Sequence, residues 1–305
     1  MVMMSLRQQA LAAQKSKATF VGSIAVVLWA LLALFTTEVS SIPPFQLVSL
    51  CFTVAAVFSF VSIIVRGKSV LRVLCQPLGA WLLGVGGLFG YHFFYFLALA
   101  NAPAVEASLI AYLWPLLIVL FSALLPTETL RWHHVLGAIF GLGGATLLVT
   151  KGHGLAFEPE YGFGYGAAIV CALIWSAYSV LNRRYGAVPV EAVCGFCSGA
   201  AALGFATHWG AENWVSPDAP QWFAIIGLGL GPVGAAFFAW DYGTKHGNIQ
   251  ILGAVSYGAP LFSTVLLIVF GKAEATPTVI VGCLMIVAGA LVASREMVLR
   301  SRRKA

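Results

Sequence analysis

Tyr112-Leu113-Trp114-Pro115 and Tyr257-Gly258-Ala259-Pro260 are two copies of one pattern, 145 residues apart, each inside a long apolar run. Working outward at an offset of 145 or 146, Trp29 falls on Trp175, Pro43 on Pro189, Phe93 on Phe238 and Tyr95 on Trp240. Glu128 falls on Glu274, and Gly137 and Gly144 fall on Gly282 and Gly289. One such match means little. An ordered series at one offset marks an internal repeat.

The composition says what solvent the repeat is built for. The chain has 305 residues, of which 60% are apolar and 9% charged, against about 25% charged in a soluble domain. Too few charges are present to cover a soluble surface, so a bilayer is the natural environment. A helix needs about 20 residues to cross about 30 Å of hydrocarbon. Uncharged runs of that length lie at roughly 18–36, 45–65, 78–100, 103–125, 132–150, 161–182, 190–208, 220–241, 248–270 and 276–294. They are continuous rather than alternating, which favours helices over barrel strands. The first run is longer than a signal-peptide core and has a repeat counterpart, so it is expected to be retained. The fold class expected is therefore all-α and integral to the membrane, with ten transmembrane helices in two five-helix repeats, 18–150 and 161–296. The tails 1–17 and 297–305 are basic.

Five spans is an odd number, so the second half enters the membrane from the opposite face. Inverted halves of this kind place a substrate site near the midplane between them, and their rocking gives alternating access. With ten spans, all but two of the 17 lysines and arginines fall on the side of the amino terminus, the exceptions being Lys151 and Lys272. The positive-inside rule then puts both termini in the cytoplasm.

Candidate site residues follow from depth and symmetry. Pro115 and Pro260 sit near the middle of spans four and nine, where a proline breaks the helix ladder; they are the hinge candidates. Tyr112 and Tyr257 lie one turn before them, and a buried tyrosine hydroxyl needs a partner. Tyr91 and Tyr95 share one face of span three, and Trp175 and Tyr178 one face of span six. Trp29 is the repeat partner of Trp175, and Trp240 that of Tyr95. His92 is the deepest ionisable group, which makes it a candidate by default. Trp114 stands about 200° around an ideal helix from Tyr112, so the two are not expected to face one cavity. The glycines Gly84, Gly86, Gly87 and Gly90 of span three, and Gly227, Gly229, Gly231 and Gly234 of span eight, fit close helix packing. Asp241 and Lys245, spaced i, i+4, are placed to pair.

Other functions fit poorly. The Cys194-Gly195-Phe196-Cys197 pair lacks the second pair or histidines of a zinc site. Paired carboxylates, a GxSxG element and a usable metal cluster are missing from the spans, so no enzyme and no cofactor are expected. Phosphate-bearing solutes want cavity cations, and no mid-span cation exists. The first span has no mid-span carboxylate, which weakens proton-coupled export of cationic drugs. An uncharged, ring-lined cavity for small solutes is the better fit, with other small metabolites or lipophilic drugs as the alternative cargo. The expected partners are a small-molecule solute and membrane lipid, with the basic tail Arg300 to Lys304 in reach of anionic lipid; no nucleic-acid partner is expected, and a monomer is the expectation.

The ten spans in two halves, with an acidic residue before a glycine-rich fifth span, resemble the drug/metabolite transporter superfamily of EamA type. Three stretches carry a narrower likeness: Trp240-Asp241-Tyr242-Gly243-Thr244-Lys245-His246-Gly247-Asn248 with Ala254 to Tyr257 and Pro260, Tyr112 to Pro115, and Ile174 to Tyr178. These are similar to the aromatic amino acid exporters of YddG type. The resemblance implies a basket of ten helices around a central cavity in the bacterial inner membrane. It implies an exporter of broad specificity for aromatic and other neutral amino acids.

Overall fold

The computed structural model describes residues 2–126, 128–155, 157–271 and 274–295. Lys272 and the basic tail 297–305 lie outside the described residues, as does the side chain of Arg7. Among the described residues nine helices are long and apolar enough to cross a membrane, and Pro277–Ala293 is a shorter, tenth apolar helix. The spans, in order, are Gln9–Thr36, Pro44–Val65, Leu78–Asn101, Ala104–Leu124, Trp132–Thr150, Pro159–Tyr185, Val190–Ala211, Ala219–His246, Ile249–Val269 and Pro277–Ala293.

Local chemistry sets the ends. Span two begins with Pro44 in its first turn, where a missing N–H is harmless. Asp218 and Gln221 form a reciprocal capping box at the start of span eight. Asn248 and Thr276 accept from Ile251 and Val279 at the starts of spans nine and ten. Span five stops at Lys151 and Gly152, with φ of 53° and 83°, a left-handed exit that a helix cannot continue through. The first helix starts far upstream of the apolar run, at Val2. Residues 2–17 hold no proline or glycine and are rich in Ala, Gln, Leu and Lys, all good helix formers, so nothing stops the helix short of the tail.

The helix pairs obey the repeat. Span five packs on span ten and span two on span seven; span one packs on span eight, and span six on span three. Exchanging the halves (one for six, two for seven, three for eight, four for nine, five for ten) maps this set onto itself. That is the behaviour of an isologous, two-fold contact. The seam between spans five and ten shows it at atomic scale. A side-chain carbon added at Gly137 would meet the Gly289 carbonyl at 2.5 Å, and one at Gly144 would meet the Gly282 carbonyl at 2.5 Å. The glycines that recur in the sequence are thus the ones that let the two backbones touch, antiparallel. Repeat partners Trp29 and Trp175 also meet, edge to face, with ring centroids 5.8 Å apart.

The glycines of spans three and eight mostly pack closely as well. Gly84 lies against Phe196, Gly87 against Tyr178, Gly227 against Phe35 and Gly229 against Val54; Gly86 and Gly231 face open space. At the face remote from the amino terminus, Glu212 at the end of span seven accepts from the Phe45 and Gln46 amides that open span two. This satisfies two donors that a helix start leaves unpaired.

Candidate functional site

Spans four and nine are broken where the two prolines stand. The α-helix stops at Ala111 and resumes at Trp114; in span nine it stops at Val255 and resumes at Gly258. The break in span four is satisfied by side chains from neighbouring spans. The Leu116 amide donates to the Tyr257 hydroxyl at 3.2 Å, and the Trp114 carbonyl accepts from Ser176 Oγ at 3.0 Å. A third irregularity lies in span eight, where Gly231–Ala235 forms a π-helical turn around Pro232. The Pro232 carbonyl in this turn accepts from Trp29 Nε1 at 3.1 Å.

These irregular segments surround a cavity of about 500 Å³. Its wall is made of rings: Trp29, Tyr91, His92, Tyr95, Phe96, Tyr112, Trp114, Trp175 and Phe237. Polar groups are sparse: Thr36, Ser108, Ser263 and Thr264 line it, and Pro260 borders it. Among the described residues no Asp, Glu, Lys or Arg lines the cavity. Tyr91 and Tyr95 stack with centroids 6.0 Å apart and planes 4° apart, and Tyr91 leans on Trp175 at 5.3 Å. Tyr95 Oη and Ser108 Oγ share a hydrogen bond at 3.2 Å. His92 Nδ1 lies 2.7 Å from the Leu88 carbonyl. A carbonyl only accepts, so Nδ1 carries the proton of this bond; in a neutral ring Nε2 is then the acceptor.

Six of the residues named from the sequence therefore meet in one wall: Trp29, Tyr91, His92, Tyr95, Tyr112 and Trp175. Four others are placed elsewhere. Tyr178 is 2% exposed and packed over Gly87. Tyr257 is wholly buried and spends its hydroxyl on Leu116. Pro115 is buried in the helix behind the wall. Trp240 lies beneath the wall rather than in it: its ring contacts Trp29, Trp114 and Trp175 at 5.1, 5.9 and 6.3 Å. The expectation that Trp114 and Tyr112 cannot face one cavity is corrected. Both line it, because the helix break between them removes the regular 100° step on which that angle rests. Phe96, Phe237 and Pro232 went unsuspected. Pro232 carried a signal, a proline inside an apolar run, but its repeat position is Gly87, so symmetry pointed away from it.

Below Trp240, toward the amino-terminal face, the bundle is closed by charges. Asp241 and Lys245 pair at 2.8 Å with almost no exposure, as their spacing suggested. Asn182 donates to Asp241 at 2.9 Å and to Thr244 at 3.0 Å, and Lys245 donates to the Val188 carbonyl at 3.1 Å. Beside them Glu128 receives Lys15 at 3.0 Å and Arg183 at 2.9 Å. Arg183 also holds the Thr244 and Gly247 carbonyls. Spans one, four, six and eight are thus tied together at one end. The cavity-lining residues Thr36, Val149 and Thr264 lie toward the other ends of their spans, so the chamber opens away from the charged end.

Comparison with known proteins agrees with this architecture. The EamA-like transporter family matches twice, over residues 16–150 and 162–295. The chain belongs to the EamA-like transporter family. Within its reach, a protein of Ancylobacter novellus named aromatic amino acid exporter YddG is 50% identical over 281 residues, covering 92% of this chain and 98% of its own. A protein of Escherichia coli with the same name is 27% identical, covering 91% of this chain and 96% of its own. A crystal structure of a protein 49% identical superposes with a TM-score of 0.89, covering 92% of this chain and 96% of the other. This EamA-like protein is a multi-pass membrane protein of a transporter family.

Proposed function

We propose that this transporter exports amino acids of broad range, aromatic and neutral ones included, from the bacterial cytoplasm across the inner membrane. The observation that carries the reading is the uncharged, ring-walled chamber closed at one end only. Flat aromatic walls suit rings and apolar side chains, and the faces of Trp29, Tyr91 and Trp175 attract an ammonium group. The hydroxyls of Tyr91 and Tyr112 form no hydrogen bond to a described residue, which leaves them for a carboxylate. His92 Nε2 is an acceptor suited to the substrate's ammonium. The export direction and cargo class rest on the names of the relatives. The positive-inside count puts the charged end and both termini in the cytoplasm, so the pose described is open to the outside. The halves 18–150 and 161–296 rock against each other, bending at Pro115 and Pro260, to open the cytoplasmic end in turn.

Solute counterflow in proteoliposomes tests this directly. Labelled phenylalanine and leucine should accumulate, and Tyr112→Ala or Trp175→Ala should raise the half-saturating phenylalanine concentration roughly tenfold, about the 1.4 kcal/mol that a good aromatic contact supplies. The absence of amino acid counterflow by folded wild-type protein, with a lipophilic drug transported instead, would overturn the cargo assignment.

A further inference from the structure

A second concavity, of about 300 Å³, lies on the outer surface of the bundle between spans two, seven and eight. Its deep part is apolar: Ala55, Phe58, Leu230, Ala235 and Phe238 line it. Its other end is polar, with Ser62, Arg66, Lys68 and Glu191. The two ends are set by the direction of span two. From Ala55 to Arg66 the helix advances eleven residues, about 16 Å at 1.5 Å each. That is close to half the roughly 30 Å hydrocarbon thickness. The groove therefore runs from the membrane surface to near the midplane, the reach of one acyl chain.

Its surroundings face lipid. Phe58, Ile64 and Val65 are exposed along the same helix. Arg66 caps the carboxyl end of span two, where the helix dipole favours a cation. Its backbone N–H closes the last turn on Ser62, but its guanidinium forms no hydrogen bond or close ion pair to a described residue and acts on Glu191 only through space. Lys68 is paired with Glu191, so the mouth keeps one positive charge in excess. An unspent guanidinium at headgroup depth above an apolar slot is complementary to a phosphate ester joined to a hydrocarbon chain.

We infer that this groove binds an anionic diacyl phospholipid, its phosphate at Arg66 and one acyl chain along Phe58, Leu230, Ala235 and Phe238. The slot backs onto the chamber. Pro232 and Val233 line the chamber while Gly234 and Ala235 of the same π-helical turn line the groove, and Phe237 and Phe238 divide in the same way. The lipid thus packs on the reverse side of the wall that the cargo touches.

Native mass spectrometry of the detergent-purified full chain provides the test, with phosphatidylglycerol and phosphatidylcholine of matched chains titrated separately. Phosphatidylglycerol is expected to bind roughly fivefold more tightly, about what one basic side chain contributes near a membrane surface. Arg66→Gln, at an exposed helix end, should bring phosphatidylglycerol down to the level of phosphatidylcholine. Ala235→Phe, at an exposed position in the slot, should weaken both lipids. Equal affinity for the two lipids in the wild type, or undiminished preference in Arg66→Gln, would overturn the site. Binding of chain-free glycerol 3-phosphate as tight as phosphatidylglycerol would overturn it too, by showing a site for a free phosphate ester.

Discussion

Replacing Glu128 with glutamine should loosen the charged end of the bundle by an amount that can be worked out. Glu128 is 6% exposed and Arg183 15% exposed, with 2.9 Å between them. At an effective dielectric of about 20 the bare attraction is roughly 6 kcal/mol. Most of that is offset by desolvation, and charge-assisted bonds contribute about 1.5–3 kcal/mol net. Lys15 is 41% exposed, so its share is under about 1 kcal/mol. Arg183 keeps the Thr244 and Gly247 carbonyls in the variant, which holds the loss to about 2 kcal/mol. If Glu128 is bound in the closed pose and released in the open one, about 2 kcal/mol multiplies the ratio of open to closed by roughly 30. A state occupied one part in a thousand would then rise to about 3%. Ala18, fully buried beside this end, can report it as Ala18→Cys in a cysteine-free background. A membrane-impermeant maleimide, applied from the amino-terminal face, should label that cysteine roughly 30 times faster when Glu128→Gln is added. Glu38→Gln, at the opposite face, should leave the rate alone. An unchanged rate in Glu128→Gln would show that this ion pair does not hold the end shut.

Three further outcomes follow from the packing. Asp241→Leu alone should lower the melting temperature sharply, since it strands the buried Lys245 ammonium at about 3–5 kcal/mol; Asp241→Leu with Lys245→Met should recover most of it, and failure to recover would mean the pair is more than a self-neutralising unit. Gly137→Val should reduce folded yield in detergent by forcing a side chain against the Gly289 carbonyl, while Gly86→Ala, with nothing within 4 Å, should match wild type; equal yields would refute the seam. Tyr257→Phe should lower stability by about 1–3 kcal/mol through the orphaned Leu116 amide without changing half-saturation for phenylalanine in counterflow, and a changed half-saturation at equal stability would put Tyr257 in the cargo path.

The repeat and the spans were open to reading because both are patterns in one dimension. Apolar runs stand out against 9% charge, and Pro115 and Pro260 announce helix breaks at matching depth. The same regularity misled at Trp114, where ideal helical angles were applied across a break that the neighbouring proline itself signals. Tyr257 misled in another way: a buried hydroxyl needs a partner, but the sequence cannot say whether that is cargo or a backbone amide 141 positions away. The charged seal was the least legible part. Lys15 and Arg183 look like ordinary positive-inside residues, and they meet Glu128 from 113 and 55 positions off. Shifted by the repeat, Arg183 falls on Thr37, Asp241 on Phe96 and Lys245 on Ala100, so symmetry marked Glu128, through Glu274, but none of these partners.

The glycine seam between spans five and ten has a genealogical meaning. Each side offers the same pair of bare backbone patches, so either side would fit a copy of itself. A five-helix polypeptide bearing Gly137 and Gly144 would find its mate in a sister molecule inserted upside down. The present chain reads as two such sisters joined end to end, with the seam among the places where they have stayed alike.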